Sequence, residues 1–429
     1  MYTSKKDKTA CFARYKSVFL QINLRKMDII IRKSYLSHIV AHLNRGMMII
    51  LIGQRRVGKS FMLRQLNQWL NENRPGSTVV YVNKELIEFS HITNATEFYN
   101  YVSPKFAAEG DNYLLIDEVQ DIEGYENALR SLHAEDRCQI IATGSNAYVF
   151  SSELATRLGG RYIEIPIYGL SYSEFLEFHG LTDSDESLTD YLRVGGLPGL
   201  RLYDIKDEIH VRDYLQGVYN TIMMRDVVAR ENIRNVPFME NLSRFIADNI
   251  GKLISTNSIV RFMKSQGEKI SDSITSAYID HLCKALIINP VARFDIHGKR
   301  LFEQINKYYF ADHGLRNYLC GFNLRGSIEK IMENVVYLYL LTQGYNVSVG
   351  ILRAGEVDFV ATKGSSTLYV QVAYLLASDE TISREFGNLM AIKDNYPKYV
   401  VTMDPVTGGI AEYPGIMHIH LREFLKTEL

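Results

Sequence analysis

Short apolar runs alternate with amphipathic stretches through the first third of the chain. Four runs rich in aliphatic residues predict buried strands, at residues 47–52, 78–82, 113–116 and 139–143. Residues 59–71 carry apolar side chains at helical spacing and predict a helix. Strands that alternate with helices form a parallel sheet with helices on both faces. The pattern therefore predicts an α/β domain.

The pattern changes in the remainder of the chain. After residue 166 it becomes helical and stays helical past residue 250, which predicts a small helical lid. From about Phe238 to Phe310 it predicts three helices followed by a hairpin. The last third predicts a helix from Ile328, strands at 357–361 and 368–373, a second helix and a strand at 399–402. The chain therefore contains more than one structural unit.

The composition excludes several classes of protein. Because 48 Lys and Arg balance 49 Asp and Glu among 429 residues, any nucleic-acid surface must be local. The four cysteines lie far apart without a CxxC pair, which argues against disulfides and cysteine zinc sites. No apolar run approaches the ~20 residues that span a bilayer, and the N-terminus does not resemble a signal peptide. We therefore expect a cytoplasmic protein that has no membrane partner.

A phosphate-binding loop follows the first predicted strand. The segment GQRRVGKS, from Gly53 to Ser60, matches GxxxxGK[ST] between a strand and a helix, which is the context the motif requires. Its glycines let backbone N–H groups face phosphate oxygens, and the following helix directs its positive dipole end at the same anion. Lys59 would contact the β- and γ-phosphates. The predicted ligands of ATP are Gly53, Gln54, Arg55, Arg56, Val57, Gly58, Lys59 and Ser60, and Ser60 would also bind Mg²⁺.

Two carboxylates follow the predicted strand at 113–116. Asp117 would hold Mg²⁺ directly or through water, and Glu118 would orient and deprotonate the attacking water. Ligands bind at the carboxyl ends of strands in sheets of this kind. An isolated Asp-Glu pair is often a solvated turn, but a phosphate-binding loop upstream favours the catalytic interpretation.

Further catalytic candidates follow the fourth predicted strand. Ser145 or Asn146 would sense the γ-phosphate or the attacking water, with Ser145 assigned to nucleotide binding and Asn146 to catalysis. Arg157 and Arg161 are alternatives for an arginine finger, and Arg161 is preferred because Gly159-Gly160 permits a close turn. For either arginine, a surface salt bridge is the simpler alternative.

Together these motifs resemble prokaryotic AAA-type P-loop ATPases that carry a C-terminal domain of uncharacterised function. The resemblance rests on residues 53–60, 115–120, 143–146, 171–178, 195–198, 225–230, 307–316 and 356–360, and it covers nearly all of the chain from Met27. It implies a P-loop NTPase parallel sheet with a helical lid, a winged helix, and a C-terminal α/β domain similar to restriction-type nucleases. The implied segments are an upstream extension (1–26), ATPase core (27–168), lid (169–237), winged-helix-like domain (238–326) and nuclease-like domain (327–429).

The middle segment has the element order of a winged helix-turn-helix, whose second helix would enter a major groove. The phosphate contacts would then be Arg293, Lys299, Arg300 and Lys307. Asp272 and Asp280 on the second helix oppose this approach, and winged helices also serve as protein-interaction modules. DNA and a protein partner are therefore both candidates.

The nuclease-like end lacks one expected residue. The resemblance places Glu333 on the first helix and Asp358 on a strand, where the two carboxylates would bind a divalent ion. Ala373 stands where a lysine is expected, and without it the attacking water and the developing charge lose support. We therefore predict loss of cleavage. Lys393 or Lys398 could substitute from the following helix, which keeps an active nuclease as an alternative.

The leading hypothesis is an ATP hydrolase whose nucleotide state repositions the winged-helix and nuclease-like region, with DNA as a candidate target. The alternative is a scaffold protein in which ATP is a slow switch, and an ATP-regulated nuclease is a third hypothesis. Glu118 favours hydrolysis because a pure switch needs no carboxylate to activate water. A protein partner and a homo-oligomer are further candidates.

Overall fold

A computed structural model describes residues 30–144, 158–231, 233–267, 270–353, 355–405, 407–410 and 412–429. Within these ranges the chain forms a five-stranded sheet and a seven-stranded sheet, with a helical segment, the predicted lid, between them in sequence. Among the same residues, no helix has the length and apolarity needed to cross a lipid bilayer.

The first sheet is entirely parallel. Its strands are Met48–Ile52 (β1), Thr78–Asn83 (β2), Asn112–Asp117 (β3), Gln139–Gly144 (β4) and Tyr162–Pro166 (β5), arranged in the order β2-β3-β4-β1-β5. The α-helices of this part are Lys33–Ala41 (α1), Lys59–Asn73 (α2), Ala95–Val102 (α3) and Tyr125–Ala134 (α4), with short 3₁₀ turns at Ile87–Phe89, Ser103–Lys105 and Val119–Asp121. Every residue of β3 is buried, as expected for a strand covered on both faces. The predicted α/β fold with a parallel sheet is confirmed.

The lid follows β5. It consists of Tyr172–His179 (α5), a short helix at Asp185–Val194 (α6), a 3₁₀ turn at Pro198–Leu202, Glu208–Thr221 (α7) and a π-helix at Ile222–Ala229. Ser171 and Glu174 form a capping box at the start of α5. Glu174 also accepts two hydrogen bonds of 2.8 Å from the buried guanidinium of Arg32. This bidentate pair ties the lid to the segment that precedes α1.

The second sheet and its helices form the rest of the chain. The helices are Val236–Asp248 (α8), Thr256–Ser265 (α9), Asp272–Lys284 (α10), His313–Leu319 (α11), Ile328–Thr342 (α12), Asp379–Met390 (α13) and Leu421–Phe424 (α14). The strands are Ile288–Asp295 (β6), Arg300–Phe310 (β7), Asn346–Ile351 (β8), Glu356–Lys363 (β9), Ser366–Val372 (β10), Lys398–Thr402 (β11) and Ile416–His420 (β12). They are arranged in the order β12-β11-β10-β9-β8-β6-β7.

The predicted hairpin is present, but it does not stand apart as a wing. Strand β6 pairs in parallel with β8, with Arg293 opposite Val349 and Asp295 opposite Ile351. The sheet therefore runs without a break across the predicted boundary between residues 326 and 327. One cluster of buried side chains also joins the first sheet, the lid and the second sheet, with Leu51, Leu192 and Val370 among its members.

Candidate active site

The phosphate-binding loop, residues 53–60, connects β1 to α2. At Gly53, a β-carbon would lie 2.2 Å from the carbonyl oxygen of Ile167, so no side chain fits there. Gly58 has φ +103° at the N-cap of α2, a left-handed conformation that glycine adopts without strain. Gly53 thus allows the loop to approach Ile167 closely, and Gly58 allows the loop to turn into the helix.

Lys59 is the first residue of α2, and its ammonium lies within the loop. Nζ donates hydrogen bonds to the carbonyl oxygens of Gly53 at 2.8 Å and Gln54 at 3.0 Å. Burial lowers the pKa of Lys59 to about 8, against the opposing effect of the Glu118 charge. The cation is therefore held by weak neutral acceptors and would gain from a bound anion.

Ser60 and Asp117 meet at the end of β3. The hydroxyl of Ser60 donates to Oδ1 of Asp117 at 3.1 Å, and the hydroxyl of Thr143 donates to the same oxygen at 2.7 Å. The other carboxylate oxygen, Oδ2, is buried and has no hydrogen-bond partner among the described residues. Burial raises the pKa of Asp117. A hydroxyl beside a carboxylate with one unpartnered oxygen supplies the hard oxygen donors that Mg²⁺ prefers, so these residues fit the ion.

Glu118 directly follows β3 in an unusual backbone conformation. Its φ is +57°, in the left-handed region that residues with a β-carbon rarely adopt. Its backbone N–H donates to the hydroxyl of Thr143 at 3.0 Å, and its carboxylate accepts a hydrogen bond from the side chain of Gln120. Thr143 thus contacts both acidic residues. Thr143 belongs to a motif that carries the family resemblance, two residues before the predicted sensor Ser145, but the sequence alone indicated no role for it.

The other predicted loop residues have different environments. Gln54 is buried, and neither polar atom of its side chain has a hydrogen-bond partner within the described ranges. Val57 is also buried, whereas Arg56 is exposed and has φ +72°. Arg55 is buried and forms a bidentate pair with Asp226, with nitrogen–oxygen distances of 2.8 and 2.9 Å.

The π-helix of the lid contacts the site at two adjacent residues. Asp226 pairs with Arg55 of the loop, and Arg225 pairs with Asp121, just after β3, at 2.7 Å. The first pair is buried and the second is partly exposed. Segments of π-helix occur frequently at functional sites. Both lid residues belong to a motif that carries the family resemblance, but the sequence alone indicated no role for either of them.

The structure does not bring Arg161 to the phosphate-binding loop. Strand β5 runs parallel to β1, with Met48 opposite Tyr162 and Ile52 opposite Pro166. Arg161 therefore lies where β1 begins, whereas the loop starts where β1 ends, ~13 Å away at ~3.3 Å per residue. The other candidates, Ser145, Asn146 and Arg157, lie outside the described residues.

A second group of charged residues lies in the second sheet. The ammonium of Lys307, on β7, is 3.0 Å from Glu333, 2.6 Å from Glu356 and 3.3 Å from Asp358. Tyr309 donates a hydrogen bond to Glu333. Burial raises the pKa of Glu333 to about 7, and Lys307 opposes that shift. We refer to Lys307, Glu333, Glu356 and Asp358 as the C-terminal cluster.

The contacts of the C-terminal cluster differ from two expectations, one about DNA contacts and one about the lysine near the carboxylates. Lys307 is only 2% exposed and binds carboxylates, so it is not available as a phosphate contact for DNA. Lys393 and Lys398 do not reach the cluster: Lys393 bonds to the carbonyl of Met390, and Lys398 bonds to Asp394. The lysine near Glu333 and Asp358 comes instead from β7, far upstream of the position that Ala373 occupies.

Comparisons with known proteins give two regional matches and several relatives. The family described as "AAA domain" matches residues 45–176, and a domain of unknown function matches residues 185–325. An uncharacterized protein of Haemophilus influenzae is 33% identical over 380 residues, which cover 86% of this chain and 92% of the relative. An uncharacterized protein of Methanocaldococcus jannaschii is 27% identical over 346 residues, which cover 76% of this chain and 74% of that relative. The solved structure of the Aeropyrum pernix Orc1 protein in complex with DNA has a TM-score of 0.32 and 14% identity, covering 72% of this chain and 97% of that chain.

Proposed function

Because this chain belongs to the same family as the Haemophilus influenzae protein and carries an AAA domain, we propose that it is a Mg²⁺-dependent ATPase. The observation that carries the proposal is the convergence of Lys59, Ser60, Asp117 and Glu118 where β1 and β3 end. Phosphoryl transfer depends mainly on positioning and on neutralising charge, and these four side chains provide both functions.

Each side chain has a separate role in this proposal. Lys59 exchanges its two carbonyl acceptors for the β- and γ-phosphate oxygens of ATP. Ser60 and Asp117 hold Mg²⁺, which neutralises charge on the phosphates when bound. Glu118 orients the attacking water and accepts its proton, while Thr143 fixes the backbone of Glu118 and the carboxylate of Asp117. Hydrolysis rather than simple nucleotide binding follows from Glu118.

Phosphate release from ATP by the purified protein tests the proposal. In Mg²⁺ we expect many phosphates released per chain at a constant rate, and in excess EDTA we expect release to stop. Contaminating ATPases are excluded if the Ser60→Ala variant, purified identically, releases phosphate at a reduced rate that more Mg²⁺ partly restores. A scaffold that uses ATP as a slow switch would instead release at most about one phosphate per chain over the same period.

We further propose that the lid responds to nucleotide through the π-helix. Arg55 lies in the phosphate-binding loop, and its partner Asp226 lies on the lid, so a movement of the loop around phosphates changes a buried ion pair. Beyond the π-helix, Glu231 lies 3.0 Å from His281 on α10. A continuous set of contacts thus leads from the loop to the middle segment.

Asp226→Asn is expected to lower ATP turnover about tenfold, because a small misplacement of a loop that positions phosphate is costly. The matched control is Arg225→Ala, which removes the neighbouring, partly exposed pair with Asp121 and should change turnover less than twofold. Steady-state phosphate release, with thermal unfolding of both proteins, measures the two effects. Equal turnover in Asp226→Asn and the wild type would remove the π-helix from the mechanism.

For the second sheet we propose a nuclease-like fold that has lost cleavage. Its support is the order of elements: α12, then the antiparallel neighbours β8, β9 and β10, then α13 and the parallel strand β11. The winged-helix-like assignment of α8 to β7 is supported by three helices followed by a hairpin. A protein partner for this segment is favoured over DNA, because α10 exposes Asp272 and Asp280, whereas its one lysine, Lys284, is only partly exposed and lies at the end of the helix.

Linear and supercoiled DNA should stay intact when incubated with the protein, ATP and Mg²⁺ or Mn²⁺. Any DNA binding should be weak and should disappear as salt rises, because a few phosphate contacts such as Lys299 would carry it. Agarose gels and fluorescence anisotropy at two salt concentrations check both expectations. Cleavage that is lost in Asp358→Ala would contradict the first expectation, and tight binding at physiological salt would contradict the second.

A further inference from the structure

The C-terminal cluster contains a positive charge where the nuclease-like resemblance implies a divalent metal ion. Its lysine comes from β7, in the middle segment, and its three carboxylates come from α12 and β9. Oxygens of all three carboxylates lie within 3.3 Å of one atom, Nζ of Lys307. The ammonium therefore occupies the point at which the carboxylates converge.

The cluster is built and enclosed by further contacts. Oδ2 of Asp358 accepts a hydrogen bond of 2.9 Å from the backbone N–H of Val372, and Glu333 accepts one from Tyr309. A β-carbon at Gly251 would lie 2.4 Å from Oε2 of Glu333, so the turn that follows α8 packs directly on this carboxylate. Other groups thus hold the carboxylates of Asp358 and Glu333 in place, and the middle segment packs over Glu333.

Charge explains why a cation is needed here. Buried carboxylates are costly unless they are paired. One buried lysine in contact with the buried Glu333 and Asp358 and with the partly exposed Glu356 provides that pairing. Burial by itself would lower the pKa of Lys307, but the three carboxylates outweigh burial and raise it above the ordinary value. The ammonium form of the lysine is therefore favoured at neutral pH.

A divalent ion would need the same oxygens. Mg²⁺ binds oxygen ligands at ~2.0–2.1 Å and Ca²⁺ at ~2.3–2.6 Å, so either ion would sit at the centre that Nζ occupies. Among the described residues, no group of three His, Cys, Asp or Glu side chains is arranged as a metal site. The residues of the C-terminal cluster, with Lys307 in place, do not fit a metal ion.

We propose that Lys307 is the resident cation of the C-terminal cluster and excludes divalent metal ions from it. The ammonium replaces a metal ion and holds β7 against α12 and β9. The cluster therefore fastens the middle segment to the nuclease-like sheet and does not activate water. The inference does not depend on the proposed ATPase activity, because the cluster lies in the other sheet.

Manganese binding to the nucleotide-free protein tests this assignment. Titrations followed by electron paramagnetic resonance of free Mn²⁺ compare the wild type, Lys307→Met and Lys307→Arg. Methionine has a similar length to lysine but carries no charge. We therefore expect Lys307→Met to bind one more Mn²⁺ than the wild type, because the affinity of the cluster for Mn²⁺ should rise at least tenfold. Lys307→Arg keeps a cation and should bind like the wild type. Any Mn²⁺ bound at the phosphate site should be bound equally by all three proteins, so it does not affect the difference between them.

Adding Asp358→Asn to Lys307→Met should abolish the additional Mn²⁺ site. A folded Lys307→Met protein that gains no Mn²⁺ would overturn the proposal. Should Lys307→Met fail to fold, the comparison of wild type with the single variant Asp358→Asn decides instead. Equal Mn²⁺ binding by those two proteins supports exclusion of metal, and a tenfold loss in Asp358→Asn would show that the wild-type cluster already binds metal.

Discussion

Replacing Lys59 with alanine is expected to weaken ATP binding at least 100-fold. The ammonium lies inside the phosphate-binding loop, where it donates hydrogen bonds to the carbonyl oxygens of Gly53 and Gln54. In the complex it would form hydrogen bonds to phosphate oxygens, and each charge-assisted bond contributes ~1.5–3 kcal/mol. Losing two such bonds corresponds to roughly 100-fold or more in affinity. Isothermal titration calorimetry with a non-hydrolysable ATP analogue and Mg²⁺ measures this change.

Two controls separate loss of binding from loss of structure. Lys33→Ala removes an exposed lysine on α1 and should bind the analogue as the wild type does. Thermal unfolding of Lys59→Ala should show that the protein is folded. An affinity within threefold of the wild type in a folded Lys59→Ala protein would contradict the assignment of the phosphate site.

Glu118→Gln is expected to keep ATP binding and to lose turnover by ~100-fold or more, since general-base catalysis contributes ~10²–10⁴-fold. Glutamine has nearly the same shape and can still accept a hydrogen bond from Gln120, but it cannot take a proton from water. Phosphate release and analogue affinity, measured on the same preparation, separate the two effects. Glu123→Gln, at an exposed glutamate nearby in sequence, is the matched control and should turn over ATP normally. Unchanged turnover in Glu118→Gln would assign the base to another residue.

Local patterns in the sequence predicted most of the first sheet and its site. Each predicted strand there agrees with an observed one to within a residue or two, because a buried parallel strand is a continuous apolar run. Residues 53–60 and the pair Asp117-Glu118 could be proposed as a candidate site from the sequence alone, because their chemistry lies in short, contiguous segments. The strand Tyr162–Pro166 was missed, since its central Glu164 interrupts the apolar run.

The long-range contacts could not be predicted from local patterns. Arg55 and Asp226 are 171 residues apart, and nothing in either segment indicates the other. Lys307 was interpreted as a surface cation because it lies in a predicted hairpin, and only the pairing of β6 with β8 brings that hairpin to Glu333 and Asp358. The position of Arg161 could not be predicted for a related reason: closeness to the motifs in sequence does not tell which end of a strand a residue occupies.

The identity of the nucleotide bound after incubation with Mg²⁺ and ATP tests the central claim most directly. Wild-type protein and Glu118→Gln are each mixed with radiolabelled ATP, separated rapidly from free nucleotide, quenched, and analysed for bound ATP and ADP. The wild type should carry mainly ADP, and Glu118→Gln should carry mainly ATP at the same occupancy. Finding ATP alone on both proteins, or ADP in equal amounts on both, would contradict hydrolysis at this site through Glu118.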